Sequence, residues 1–149
     1  MLYWEKQKKI KAVYEMYSGP VRKKYGLTKM EYSILMFLYR NPSCDSAASI
    51  VQSGQFTKSH VSAAVRVLEK RKYIIGKYMD NNYKTIHLKL TGQAEEILRE
   101  ASKAEKRYAD RIFEGFTERE MQQINNLLER ICENSESELQ NMKEGKKYA

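Results

Sequence analysis

The stretch FTKSHVSAAVRVLEKRK, from Phe56 to Lys72, decides how the rest of the chain reads. Thr57 is a good helix N-cap, because its hydroxyl can accept from the unpaired amides of the first turn. Phe56 before the cap and Val61 after it have the spacing of a hydrophobic staple. Val61, Ala64, Val65 and Leu68 recur at i, i+3, i+4 and i+7, which makes one apolar stripe. The opposite face carries Lys58, Ser59, Ser62, Arg66 and Lys70, with His60 and Ala63 beside them. A helix N-terminus carries partial positive charge and favours acids. Yet this one begins with Lys58 and His60, and two other helices of the chain place Glu at the position matching His60. A docked phosphate would resolve the mismatch. The stretch reads as a DNA recognition helix.

Upstream, Leu27-Thr28-Lys29-Met30-Glu31-Tyr32 is a capping box with a staple, and Ile34, Leu35, Phe37 and Leu38 continue it as a buried helix. That helix stops before Asn41-Pro42. Asp45 or Ser46 caps a third, short helix with Ala47, Ile50 and Val51, and Gly54 suits its left-handed end. With only Gln55 and Phe56 before Thr57, the pair forms a helix-turn-helix. Downstream the period changes from helical to alternating. Tyr73–Tyr78 and Thr85–Leu90 read as two strands, with Ile86, Leu88 and Leu90 inward and Thr85, His87 and Lys89 outward. Met79 to Lys84 is a polar tip. A lone hairpin is marginal, so it must pack on the helices as a wing.

The flanks are helical. Residues 2–18 form an amphipathic helix with Tyr3, Ile10, Val13 or Tyr14, and Tyr17 near one face, ended by Ser18-Gly19-Pro20. Thr91 caps a long helix to Glu114. Phe116-Thr117-Glu118-Arg119-Glu120-Met121 is a second capping box with a staple, opening a last helix with Ile124, Leu127, Leu128, Ile131 and Leu139. Such stripes need a partner surface, and a second copy of the chain is the natural one. The fold class is mainly α, with α+β character from the wing alone. It is a winged helix-turn-helix with long N- and C-terminal dimerisation helices, divided into 1–26, 27–91 and 92–149.

Charge placement agrees. The chain carries +8 in all; residues 57–91 hold +6 and 92–149 hold −3. A basic middle beside a mildly acidic end is the footprint of a nucleic-acid module attached to something else. No apolar run approaches the roughly 18 residues of a membrane span, and the basic N-terminus lacks a signal peptide's apolar core. A cytoplasmic protein follows. Cys44 and Cys132 make no disulfide framework. Cys132 falls on a helical stripe and reads as a small core residue, whereas Cys44 sits in a loop with no basic neighbour to activate it. His60 and His87 have no ligand spacing to each other or to either Cys, so no metal and no cofactor is expected.

In combination, LTKMEYSILMFL, SIVQSGQFTKSHVSAAVRVLEKRKYI, the wing and IHLKLTGQAEEIL resemble the MarR family of bacterial winged-helix regulators over about residues 27–100. The resemblance implies a homodimer on a pseudo-palindromic double-stranded operator, repressing nearby genes and released by a small-molecule effector. It implies groove-facing positions for Ser59, His60, Ser62, Ala63 and Arg66. There are departures. The family's Asp-x-Arg wing motif is replaced by Asn82-Tyr83-Lys84, which keeps a charge but loses the planar fork and its acidic partner. Ala63 stands where members often have Arg, which throws base reading onto Arg66 or a methyl contact. The flanking aromatics Tyr3, Trp4, Tyr14 and Tyr17 are candidates for core or for an effector pocket.

An enzyme is not expected. The chain has no phosphate-cradling glycine loop and no nucleophile elbow, and Ser59 and His60 stand about 100° apart around a helix, unable to pair. The alternative to an operator-binding regulator is a winged-helix protein-interaction module without its own operator.

Overall fold

The computed structural model describes residues 2–53, 56–79 and 81–145, and for residues 2 and 3 the backbone alone. Gly54 and Gln55 of the expected turn, Asp80 of the hairpin tip, the Tyr3 side chain and the end of the tail lie outside the described residues. Within them run α1 (Leu2–Tyr25), α2 (Lys29–Arg40), α3 (Ala47–Gln52), α4 (Lys58–Lys70), β1 (Ile74–Met79), β2 (Asn82–Leu90), α5 (Glu95–Ile112) and α6 (Glu118–Lys143). The chain divides into two compact units, Met1–Asp110 and Arg111–Ala149. A mainly α winged helix-turn-helix is what the sequence predicts.

In the first unit the core gathers on α2. Thr28 caps it reciprocally with Glu31: the Glu31 amide donates to Thr28 Oγ1 at 3.1 Å and the Thr28 amide to Glu31 Oε2 at 3.1 Å. Ile34 and Leu35 are wholly buried, with Met36 and Leu38 nearly so, because apolar residues on three sides of a short helix leave it no wet face. The α4 stripe packs on α2, with Val61, Ala64 and Leu68 buried as their spacing requires. Ile50 of α3, Ile74 and Leu88 of the wing, and Ile97, Leu98 and Ala101 of α5 close the same cluster.

The first helix departs from expectation. It does not stop at Ser18-Gly19-Pro20; Pro20 lies inside α1, which runs on to Tyr25. Proline removes one backbone bond, but contacts on both sides of it hold the helix. Ser18 Oγ donates to the Tyr14 carbonyl at 3.1 Å, and Arg22 reaches back across the proline to Glu15. Val21 enters the core, while Lys24 and Tyr25 both bond Glu100 of α5, at 2.5 and 3.0 Å. The helix ends in a Schellman motif instead: Leu27 N–H donates to Arg22 O at 2.8 Å, Gly26 N–H to Lys23 O at 3.3 Å, and Gly26 has φ +60°.

The first strand is shifted by one residue from the expected Tyr73–Tyr78, and the second starts three residues earlier than the alternation suggested, at Asn82. They pair antiparallel from Ile74↔Leu90 through Lys77↔His87, slip register, and meet again at Met79↔Asn82. Gly76 is needed there, since a Cβ would come within 2.8 Å of Ile86 Cγ2 and 2.9 Å of Glu69 Oε1. Ile86, expected inward, is 47% exposed. Thr91 does not cap α5. Its hydroxyl donates to Lys72 O at 2.5 Å and its amide to Tyr73 O at 3.0 Å, so it fastens the base of the wing. A 3-10 turn, Gly92–Ala94, then leads into α5.

In the second unit, Thr117 and Glu120 form the expected capping box on α6, and no residue of α6 is buried. Leu127, Leu128, Ile131, Leu139 and Met142 are exposed, and so is Cys132. The core reading of Cys132 is therefore wrong for the single chain: the stripe gives it a face, but the residue is exposed on it. Among the described residues no helix is long and apolar enough to cross a membrane.

α4 also ends in a Schellman motif, but with Lys72 at φ +61° where Gly would suit: Tyr73 N–H donates to Leu68 O at 3.0 Å and Lys72 N–H to Glu69 O at 2.9 Å. The two helix ends should respond oppositely. Gly26→Ala should cost about 1 kcal/mol, all of it backbone strain since its Cβ would meet nothing within 4 Å. Lys72→Gly should be neutral or gain up to about 1 kcal/mol. Urea denaturation of both variants checks the pair of signs.

Candidate nucleic-acid interface

Burying the apolar stripe of α4 forces the opposite face out. Lys58, Ser59, His60, Ala63, Arg66 and Lys70 are exposed and Ser62 is half-buried. Thr57 caps the helix as expected: its Oγ1 accepts the His60 amide at 3.4 Å and lies 3.3 Å from Ser59 Oγ. The first turn contains no acid, whereas α2 and α6 place Glu31 and Glu120 at the position His60 occupies here. At 100° per residue, Ser59, Ser62 and Arg66 share one strip.

The wing supplies a second exposed group. Asn82, Tyr83 and Lys84 are all exposed, Tyr83 at 73%. Asn82 Oδ1 accepts the Lys84 amide at 3.0 Å, so the Asn side chain shapes the strand start instead of pairing with the Lys charge. The Tyr83 ring leans on Tyr78, centroids 5.5 Å apart, which makes the distal wing more aromatic than basic.

Two residues to which the sequence gave no tertiary role fix these parts to each other. Ser46 caps α3, accepting the Ser49 amide at 3.1 Å, which leaves Asp45 free for another role. Its buried carboxylate takes His87 Nδ1 at 2.6 Å and Lys89 Nζ at 2.8 Å, and its carbonyl accepts the Leu88 amide at 2.7 Å. This clamp ties β2 to the start of the helix-turn-helix. Arg71 looks like one more surface cation, yet it donates to the carbonyls of Tyr25 and Gly26 and stacks on the Tyr73 ring, 4.9 Å from its centroid. It docks the end of α1 to the end of α4. The signal for Asp45 was present, since two adjacent cap residues cannot both cap. Nothing in the sequence marked Arg71.

Residues 25–76 match the sequence model of the MarR family. Over that stretch the chain resembles the MarR family. Its fold is shared along the whole chain. A Listeria monocytogenes protein assigned to the MarR-family transcriptional regulators, solved with 26mer DNA, superposes with a TM-score of 0.81 at 17% identity, covering 100% of this chain and 98% of that one. The S. aureus MepR–DNA complex gives 0.74 at 18% identity over 89% and 95% of the two chains. A MarR protein from Peptoclostridium difficile gives 0.74 at 23% identity over 90% and 86%. At these identities the likeness is one of fold. A search of curated protein sequences finds no match.

The Asp45 clamp is a feature of this wing that titration can read. Burial works against the Asp45 charge, but Lys89 and His87 together hold its carboxyl below the usual carboxylate range. A depressed folded-state value contributes stability above the unfolded pKa, which is lost as pH falls through the folded one. Asp45→Asn should therefore cost about 1–2 kcal/mol at neutral pH. The gap to the parent protein should close below about pH 4, as followed by thermal melts across a pH series.

Proposed function

We propose that the chain is a sequence-specific, DNA-binding transcriptional regulator that binds a pseudo-palindromic operator as a homodimer. The observation that carries this is the first turn of α4, which has an exposed Lys58 and no acid, with the exposed His60 at the position where α2 and α6 carry the Glu of their capping boxes. A cationic helix start is a local cost unless an anion docks on it. Ser59, Ser62, Ala63 and Arg66 then face the major groove, Lys58 and Lys70 reach phosphate, and the wing lies on the neighbouring minor groove through Tyr83 and Lys84, with Asn82 shaping its start. Relatives of this fold have been solved on DNA, which supports the reading. The bare stripe of α6 supports a second copy of the chain as its cover. Repression, release by a small effector, and a cytoplasmic setting complete the proposal. For the effector, the first unit offers a cavity of about 430 Å³ between α1, α2 and α5, whose wall includes Phe56 at the foot of α4.

Arg66 and Lys58 should separate cleanly. An Arg in the groove can pair with both acceptors of a guanine, whereas a Lys on phosphate carries no sequence information. Arg66→Ala should cost about 1–3 kcal/mol on the operator and relax selection at one base pair, while Lys58→Ala weakens all sequences alike. Competition binding against operator variants and random duplex reads both. If Arg66→Ala leaves the specificity ratio intact, this face of α4 is not the reader.

Lys84→Ala tests the wing. Affinity for every duplex should fall, and the salt dependence should drop by about 0.9 per subunit. An unchanged slope would mean that the aromatic tip, and not the charge, makes the wing's contact.

A further inference from the structure

Arg71 closes the recognition helix and reaches out of it. Its amide donates to Val67 O at 2.9 Å, so its backbone belongs to the end of α4. Its guanidinium leaves that helix and donates to Gly26 O at 2.9 Å and to Tyr25 O, the carbonyls at the C-terminal end of α1. A helix C-terminus carries partial negative charge, so a cation held there is favourable. The planar fork serves two neighbouring carbonyls at once, which a lysine ammonium on a flexible stem does not match.

Both sides of this joint are held in turn. The guanidinium stacks on the Tyr73 ring and donates to the Tyr73 hydroxyl at 3.2 Å. Tyr73 is itself fixed by the Schellman end of α4. On the receiving side, the Tyr25 hydroxyl donates to Glu100 of α5 at 3.0 Å, so α5 grips the same turn that Arg71 does. The neighbouring cations Lys70 and Lys72 are exposed, as groups meant for phosphate would be, whereas Arg71 is turned back onto the protein. This matters for α4 because its stripe alone cannot fix its direction. Apolar burial is non-directional, so a helix held by a stripe can still rock about it. Two directed hydrogen bonds at one end remove that freedom.

We propose that Arg71 is the positioning residue of the DNA face. It sets the angle of α4 to α1, and so the separation of the two α4 helices when α1 lies in the contact between two copies. The inference rests on the dimeric-regulator reading. It needs no contact between Arg71 and DNA.

For the test, the parent protein first selects a duplex from a random pool. Parent, Arg71→Gln and Arg71→Lys are then titrated against that duplex, against the same duplex with one base pair added between its half-sites, and against random duplex, over a salt series. The added pair moves one half-site by about 3.4 Å and about 35°. The parent should discriminate against it. Both variants should lose about 2- to 30-fold on the selected duplex and less on the lengthened one, so the spacing preference narrows. Affinity for random duplex and the salt slope should stay as in the parent. Arg71→Lys keeps the charge and should still behave like Arg71→Gln. An unchanged spacing preference overturns the proposal. So does a salt slope lower by about 0.9 per subunit in Arg71→Gln, the mark of a phosphate contact. Full rescue by Arg71→Lys, equal losses on all three duplexes, or failure of both variants to fold would reduce the residue to charge or stability, and each overturns it as well. A parent that selects no duplex is a separate result, which contradicts the regulator reading itself and removes the inference with it.

Discussion

Nearly everything in the first unit depends on the packing of α4 against α2. Val61 and Leu68 are wholly buried there, against a helix whose Ile34 and Leu35 are also wholly buried. Removing Leu68 alone, by truncation to Ala, would cost on the order of 2–5 kcal/mol. The same burial settles which side of α4 is wet. With the stripe committed, Ser59, Ser62 and Arg66 have only the outer face left, and the exposed chemistry of the helix follows from its core. The wing depends on that packing as well: Ile74 and Leu88 bury their side chains in the cluster that α2 and α4 create, which gives a two-stranded hairpin the support it lacks by itself.

The links between elements are polar and few. Asp45 holds β2 to α3, Thr91 holds the base of the wing to the end of α4, and Arg71 holds the end of α1 to the same place. Tyr14, Glu105 and Arg40 join α1, α5 and α2 in one chain of charge and hydrogen bonds beside the cavity. Phe56, in the wall of that cavity, immediately precedes the cap of α4. Phe56 thus joins the wall of the cavity to the start of α4.

What could be read from the sequence was what is local. Capping boxes at Thr28 and Thr117, the Thr57 cap and the α4 stripe depend on residues within one or two turns, and all appear as their spacing requires. The misses are places where distant partners decide. Pro20 looked like a stop because its nearest neighbours are Ser and Gly; Glu15, Val21 and Glu100 carry the helix past it. Thr91 had a cap's sequence context, yet Lys72, nineteen residues back, offered its hydroxyl a better partner. Cys132 was placed correctly on its stripe, but periodicity says which way a residue faces and not what it meets. Among the candidate DNA residues, exposure could be anticipated from the pattern, whereas the use of the Asn82 side chain in its own strand start could not.

The most direct measurement is a hydroxyl-radical footprint of the protein on the DNA upstream of its own gene. Two recognition helices related by a twofold axis should protect two patches on one face of the duplex, their centres about 10 base pairs, or one helical turn, apart. Arg66→Ala should blur both patches equally. A single patch, or protection without this spacing, would contradict a symmetric pair of α4 helices reading the groove.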